Sequence, residues 1–336
     1  MTITNSSFFV DDSLHGKKEI GMEIRKPFVA IIGAGQVGAT TAQRILEKDI
    51  ADVVLFDVVD GMPQGKALDL MEAAPLEGHS RRVVGTNDYK AIQGAEIVVV
   101  TAGLPRKPGM SREDLLSLNA KIITDVCTNI KRYAPESKVI IVTNPLDLMT
   151  YLARQVTGFP SARVFGMAGV LDTARMRFFI AERLNVVPKN VEAVVLGGHG
   201  DLMVPVSSQT KADGKPVKER IPSLELSKIE QRTRDGGAEI VALLKTGSAY
   251  YAPASSVCEM VRCVLRNEHK TLPVCAYTRG EYGIRDIYFG VPAVLGARGV
   301  EKIIELSLDP EEEKGLRLSA QKVRQGIDEL VKLLPS

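Results

Sequence analysis

Five short runs of consecutive apolar residues, separated by polar stretches of helical length, constrain this chain more than any other feature: FVAIIG (28–33), DVVLFD (52–57), AEIVVVTAG (95–103), KVIIVTNP (138–145) and VEAVVLGG (191–198). They are rich in Val and Ile and do not alternate with polar residues, the pattern of strands buried on both faces of a parallel sheet. Helical candidates occupy the gaps at 38–48, 61–72 and 112–133. Strand, helix and strand in repetition imply right-handed crossovers and an α/β fold, a Rossmann-type doubly wound parallel sheet. After about residue 166 the helical segments lengthen (173–184, 227–245, 255–266, 310–334), with shorter strand-like pieces at 203–208 and 271–277. The expected organisation is a tail or arm at 1–26, a nucleotide-binding domain at 27–166 and an α+β catalytic domain at 167–336. No low-complexity linker separates the halves, so an extensive interface between them is expected.

Charge and composition exclude several classes. With 43 Lys and Arg against 41 Asp and Glu, the net charge of +2 gives no suggestion of a nucleic-acid surface, and no nucleic-acid partner is expected. No apolar run approaches the roughly 20 residues of a membrane span. Cys127, Cys258, Cys263 and Cys275 form no C-x-x-C pair, and the histidines lack metal-ligand spacing. Buried thiols in a reducing, cytoplasmic compartment, and no metal, are therefore expected. The first 26 residues lack a signal-peptide apolar run, and Asp11, Asp12, Glu19 and Glu23 make them too acidic for a transit peptide. A flexible tail is one reading, and an arm anchored on a neighbouring subunit by Phe8, Phe9 and Val10 is the other.

Gly33-Ala34-Gly35-Gln36-Val37-Gly38 follows the first run and opens a helix, the required context of G-x-G-x-x-G. Gly33 allows the tight turn, Gly35 lets a pyrophosphate approach, and Gly38 lets helix and strand pack closely. The helix start offers free N–H groups to phosphate. Asp57 ends the second run, where a carboxylate accepts hydrogen bonds from ribose hydroxyls and repels the extra phosphate of NADP. The cofactor expected is NAD. The competing account of Asp57 is a solvated strand-end carboxylate.

His199, in Gly197-Gly198-His199-Gly200-Asp201, stands at a strand end with glycines on either side. Its ordinary pKa near neutrality suits a base that takes a proton from an alcohol. Asp172 and Arg175 lie one helical turn apart. They form either a surface ion pair or a split pair, Asp172 orienting His199 and Arg175 gripping a carboxylate. Residue spacing leaves both accounts open. The segment 103–112, with two prolines and two glycines, forms a defined loop suited to a lid and carries Arg106 and Arg112. Asn144 ends the fourth run beside the same crevice.

From about residue 28 to 334 the sequence resembles the lactate/malate dehydrogenase family, closest to its lactate-dehydrogenase-like malate dehydrogenases. The resemblance rests on six motifs in order: GAGQVG (33–38), LFD (55–57), TAGLPRKPGMSREDLLSLN (101–119), VTNPLD (142–147), GMAGVLDTARMR (166–177) and GGHGD (197–201). It implies that His199 is the acid/base, Asp172 its orienting partner and Arg175 the residue that binds the substrate's C1 carboxylate. Arg112 would polarise the reacting C–O bond, Asn144 would touch substrate and cofactor, and Val142, Thr143 and Asn119 would line the NAD site. Relatives of this kind are homodimers or homotetramers.

The same resemblance makes Arg106 the specificity position, Arg in malate-specific and Gln in lactate-specific members. A second carboxylate would be buried unpaired against a neutral side chain, and Arg supplies a planar fork for it. Ala249 stands where lactate-type members tend to carry Thr. Malate and oxaloacetate are therefore the expected substrates, in central carbon metabolism (the tricarboxylic acid cycle). The alternatives are L-lactate dehydrogenase and, from another class, a non-catalytic NAD-binding sensor.

Overall fold

The computed structural model describes residues 24–104 and 111–333. The first half contains β1 (Phe28–Ile32), α1 (Gln36–Glu47), β2 (Asp52–Phe56), α2 (Met62–Glu77), β3 (Val83–Thr86), β4 (Ile97–Val100), α3 (Arg112–Tyr133), β5 (Lys138–Ile141), α4 (Leu146–Thr157) and β6 (Val164–Gly166). These strands are parallel in the order 3-2-1-4-5-6, the doubly wound arrangement expected from the apolar runs. The order reverses between β1 and β4, and ligands of such sheets bind outside the carboxyl ends of the strands at that point.

Two-sided burial explains why the runs are continuous. Alternate residues of β1 enter two separate apolar clusters: Val29 and Ile31 in one, Phe28, Ala30 and Ile32 in the other. Every position of β1, β2 and β4 is buried.

The second half contains α5 (Gly169–Leu184), β7 (Val191–Glu192), β8 (Val195–Gly197), β9 (Met203–Pro205), β10 (Lys211–Ala212), β11 (Lys215–Pro216), α6 (Ser223–Leu244), α7 (Tyr251–Leu265), β12 (Lys270–Arg279), β13 (Arg285–Gly296), β14 (Gly299–Ile303) and α8 (Pro310–Leu333). The main sheet continues through this half, because β12 pairs antiparallel with β6 through Cys275 and Gly166, and β13 and β14 follow. Among the described residues no helix is long and apolar enough to cross a membrane.

One expected strand is corrected. The fifth apolar run does not join the parallel sheet. It breaks into β7, which pairs with β10, and β8, which pairs with β9. Val195 and Leu196 are buried because α5, α8 and β13 close around β8. Continuous apolarity there reports burial from both sides rather than membership of the main sheet. The half-buried β3, the three-residue β6 and the helix α4 had no separate signal in the runs.

Of the expected tail only residues 24–26 are described, and its Phe8–Val10 anchor lies outside them. Arg25 is tied to the start of β2. Its main-chain N–H and Nε reach Asp52 Oδ2 at 2.9 and 3.2 Å, and its terminal nitrogen reaches Oδ1 at 3.1 Å. Asp52 also accepts the Arg82 N–H at 3.3 Å and exposes none of its side chain. Burial disfavours its charge, but the bonds from Arg25 and Arg82 outweigh burial and hold the carboxyl below its usual range. A depressed carboxylate stabilises the fold above its unfolded pKa of about 4, and the effect fades as pH falls through the folded value. Asp52→Asn should therefore cost about 2 kcal/mol at pH 7. Urea unfolding midpoints of the two proteins should differ at pH 7 and converge as the pH falls below the lowered Asp52 value.

Candidate active site

The crevice outside β1 and β4 is shaped by glycine. Gly33 has φ +109°, and a Cβ there would lie 2.7 Å from Thr101 Oγ1 of the chain leaving β4. A Cβ on Gly38 would overlap the Gly33 carbonyl oxygen, so α1 could not pack so closely on the turn. At Gly35 a Cβ would meet nothing within 4 Å, which leaves open space over the turn. No side chain caps α1, so the first-turn N–H groups around Gln36 and Val37 remain available to an anion.

The turn is held from both sides. Asp57 Oδ2 accepts the Ala34 N–H at 2.7 Å, and Lys66 of α2 donates to the Ala34 carbonyl at 2.7 Å. Asp57 Oδ1 accepts the Val59 N–H at 3.0 Å. A carboxylate offers about four acceptor positions, so Asp57 can still bind hydroxyls. Free N–H groups, an open cradle, a strand-end carboxylate and a nearby cation fit a dinucleotide. Val142 continues β5 through its N–H to Val100, and Thr143 donates to the Ala102 carbonyl at 2.6 Å.

Asn119 and Asn144 divide the labour. Asn119 is buried and spends its amide on the main chain: Oδ1 accepts the Leu104 N–H at 2.8 Å, and Nδ2 donates to the Asn144 carbonyl at 2.8 Å. It therefore ties the chain leaving β4 to the chain leaving β5. Asn144 is exposed.

The second half brings His199, Asp172 and Arg175 together, which excludes the surface ion pair for the last two. His199 Nδ1 lies 2.9 Å from Asp172 Oδ2, and Asp172 Oδ1 lies 3.4 Å from the Arg175 guanidinium. Asp172 is 2% exposed, and the side chains of Arg175 and His199 are 13% and 18% exposed. Burial disfavours the charged imidazole, but the charge and hydrogen bond of Asp172, with the charge of Asp147, outweigh it. His199 titrates above its ordinary value. Arg175 has space because α6 presents Gly236 and Gly237. A Cβ at Gly236 would lie 3.1 Å from Arg175 Cδ. Two glycines inside a helix cost about 1 kcal/mol each relative to Ala, so the room is not free.

Three residues that hold this loop were not singled out by the motifs. Asp147 Oδ2 accepts the His199 N–H at 2.9 Å, and Ser319 Oγ of α8 accepts the Gly198 N–H at 2.9 Å. Gly290 of β13 presses on the Gly197 carbonyl, where a Cβ would overlap it. Lys66 was likewise missed. An acid on the apolar N-terminal face of α4 was the one visible signal for Asp147. Arg106 lies outside the described residues. Arg112 is the first residue of α3, and its side chain is not among those described. That helix start is fixed by Ser111 and Asp114, each accepting the other's N–H, at 3.0 and 3.1 Å. Ala249 is half-buried between α6 and α7.

Known proteins match along nearly the whole chain. A family model described as the lactate/malate dehydrogenase NAD binding domain matches residues 28–166, and one described as the lactate/malate dehydrogenase alpha/beta C-terminal domain matches 169–334. A malate dehydrogenase of Nostoc punctiforme is 54% identical over 308 residues, covering 92% of this chain and 94% of that protein. The crystal structure of Cryptosporidium parvum malate dehydrogenase is 40% identical with a TM-score of 0.89, covering 92% of this chain and all of that one. A lactate dehydrogenase of the same organism, solved with lactic acid and NAD, has the same identity and TM-score and covers 93% of this chain and all of its own.

Asp172 carries most of the charge that favours the imidazolium. In Asp172→Asn the His199 titration, followed by NMR of the imidazole carbons, should move down from its raised position, because the charge and hydrogen bond that favour the imidazolium are gone. An unchanged midpoint would show that the 2.9 Å contact is not an ionic one. The sign extends to stability. A histidine raised by its partner stabilises the fold below its unfolded pKa, and this is lost as pH rises through the folded value.

Proposed function

The chain belongs to the lactate/malate dehydrogenase family, and from that premise we propose that it oxidises (S)-malate reversibly to oxaloacetate with NAD as cofactor. The His199–Asp172–Arg175 cluster, built on the buried Asp172, carries the reading. It sets a base oriented by one carboxylate beside a guanidinium that has a single long bond, the parts that a 2-hydroxy acid requires. The fold does not choose between malate and lactate, since solved relatives named for each fit equally well. The choice rests on the 54% identical relative named malate dehydrogenase and on Arg106.

NAD, held by Gly33–Gly38, Asp57 and the 142–144 segment, supplies the acceptor for hydride from C2 of malate. His199 takes the hydroxyl proton on Nε2, the nitrogen left free by the Nδ1 bond to Asp172. Asp172 fixes that tautomer and stabilises the imidazolium. Arg175 pairs with the C1 carboxylate through its unused donors, and Arg106 with the second carboxylate. Arg112 polarises the C–O bond, and Asn144 hydrogen-bonds the substrate with its exposed amide. Asn119 acts on the site through the main chain of Leu104 and Asn144.

The proposal includes a cytoplasmic location, supported by four free, buried cysteines. It also includes a homodimer or homotetramer. Leu68 and Leu76 on α2, and Val241, Leu243 and Leu244 at the end of α6, are exposed apolar side chains that a second copy would cover. Light scattering of the purified protein should give a mass of at least two chains, and a monomer at micromolar concentration would overturn that part.

NADH oxidation with oxaloacetate and pyruvate in parallel tests the activity. Fast turnover of oxaloacetate with little of pyruvate is expected. Arg106→Gln should lower kcat/KM for oxaloacetate by about 100-fold or more, the cost of an unpaired carboxylate. His199→Asn should abolish turnover yet bind NADH with unchanged fluorescence enhancement. No turnover of either acid by a wild-type protein that binds NADH would support the sensor instead.

A further inference from the structure

Asp147 is a carboxylate with no surface role. It lies in the first turn of α4, is 6% exposed, and both its oxygens face donors from other elements. Oδ2 accepts the His199 N–H at 2.9 Å, and Oδ1 faces the Cys275 thiol of β12 at 3.2 Å. The His199 N–H can only donate and the Cys275 sulfur is a weak acceptor, so both contacts favour the ionised carboxylate over the protonated one. The first turn of a helix also favours an anion.

We propose that Asp147 is a positioning residue for His199: its carboxylate clamps the histidine's main chain to α4 and supplies a second negative charge that stabilises the imidazolium formed during proton transfer. The proposal rests on His199 being the acid/base. Burial holds the Asp147 carboxyl above the usual carboxylate range, and the His199 and Cys275 bonds and the charge of His199 draw it only part of the way back. The charge is thus held against burial, and the geometry of the two donors carries the assignment. The charged and titratable groups that face His199 are Asp172 and Arg175 from α5 and Asp147 from α4, with Cys275 of β12 behind Asp147 and Asp201 on the same loop. From α8 the loop receives Ser319, which does not titrate. The assignment differs from that of Asp172, which bonds the imidazole ring. Asp147 bonds the backbone and acts on the ring by charge alone.

Asp147→Asn keeps an acceptor for the His199 N–H and removes the charge. NMR titration of His199 in the free protein should show its midpoint lowered by about one unit. Malate oxidation, which needs neutral His199, should rise at correspondingly lower pH, and oxaloacetate reduction, which needs the imidazolium, should fall at lower pH. KM for malate at the new optimum should change little. A folded variant with an unshifted NMR midpoint overturns the charge role. If the variant does not fold, hydrogen exchange in the wild-type protein decides on the clamp. The His199 amide should be protected at least 100-fold relative to the exposed Gly214 turn, and exchange at the rate of that turn overturns it. The NMR midpoint is independent of turnover. A shift in the midpoint without loss of activity in His199→Asn would leave the coupling intact and discard the acid/base reading instead.

Discussion

The site depends on keeping an imidazole charged, or readily charged, out of water. Burial opposes the imidazolium, and the protein overcomes it with carboxylates that are themselves almost fully buried, Asp172 at 2% and Asp147 at 6% exposure. Each carboxylate must in turn be satisfied. Asp172 has His199 and Arg175, and Asp147 has the His199 main chain and the Cys275 thiol. The cluster thus links α4, α5, β12 and the loop after β8. Removing one member leaves another buried and unpaired, which costs more than the bond itself.

Close approach makes this convergence possible, and glycine supplies it. Gly38 admits α1 to the first turn, Gly290 lets β13 reach the Gly197 carbonyl, and Gly236 leaves room for the Arg175 stem. All are places where a methyl group would displace a functional atom rather than merely crowd a core. The same reasoning separates Gly35, where the open space is the useful feature. One aspartate and one lysine contact, on the N–H and the carbonyl of Ala34, then stop the turn from relaxing.

Much of this was legible in the residues. Five apolar runs reported five buried stretches, and four of them were strands of the main sheet. The fifth misled because β8 is buried between α5, α8 and β13, and apolarity registers burial without saying which element supplies it. The geometry of the glycine turn and its contact with Asp57 were readable because a strand–helix turn packed that closely demands a fixed local spacing. Asp172 and Arg175 were ambiguous because helical spacing says that two side chains share a face, not whether that face is wet. Ser319, Gly290 and Lys66 carried no signal, and Asp147 only that of an acid on an apolar helix face, for a different reason. They act on the loop or the turn from 32 to 121 residues away in the chain, through main-chain atoms that any residue type carries. Asn119 shows the reverse case, a side chain assigned to a ligand surface that is spent on the backbone holding that surface.

The raised histidine also couples proton to substrate. Neutral His199 presents a bare Nε2 that accepts from an alcohol, and the imidazolium presents an N–H that donates to a carbonyl. Malate therefore fits the neutral form and oxaloacetate the charged one. Two carboxylates behind the ring move that balance toward the charged form. They also oppose an approaching dianion, so the site needs arginines on the substrate side to compensate. Arg175 fits that need: it is half-buried, with one contact at 3.4 Å, and a guanidinium so poorly satisfied gains most when a carboxylate arrives. The proposed acid/base and the proposed anion clamp are thus one electrostatic arrangement, in which the charge that tunes the histidine sets the need for the arginine beside it.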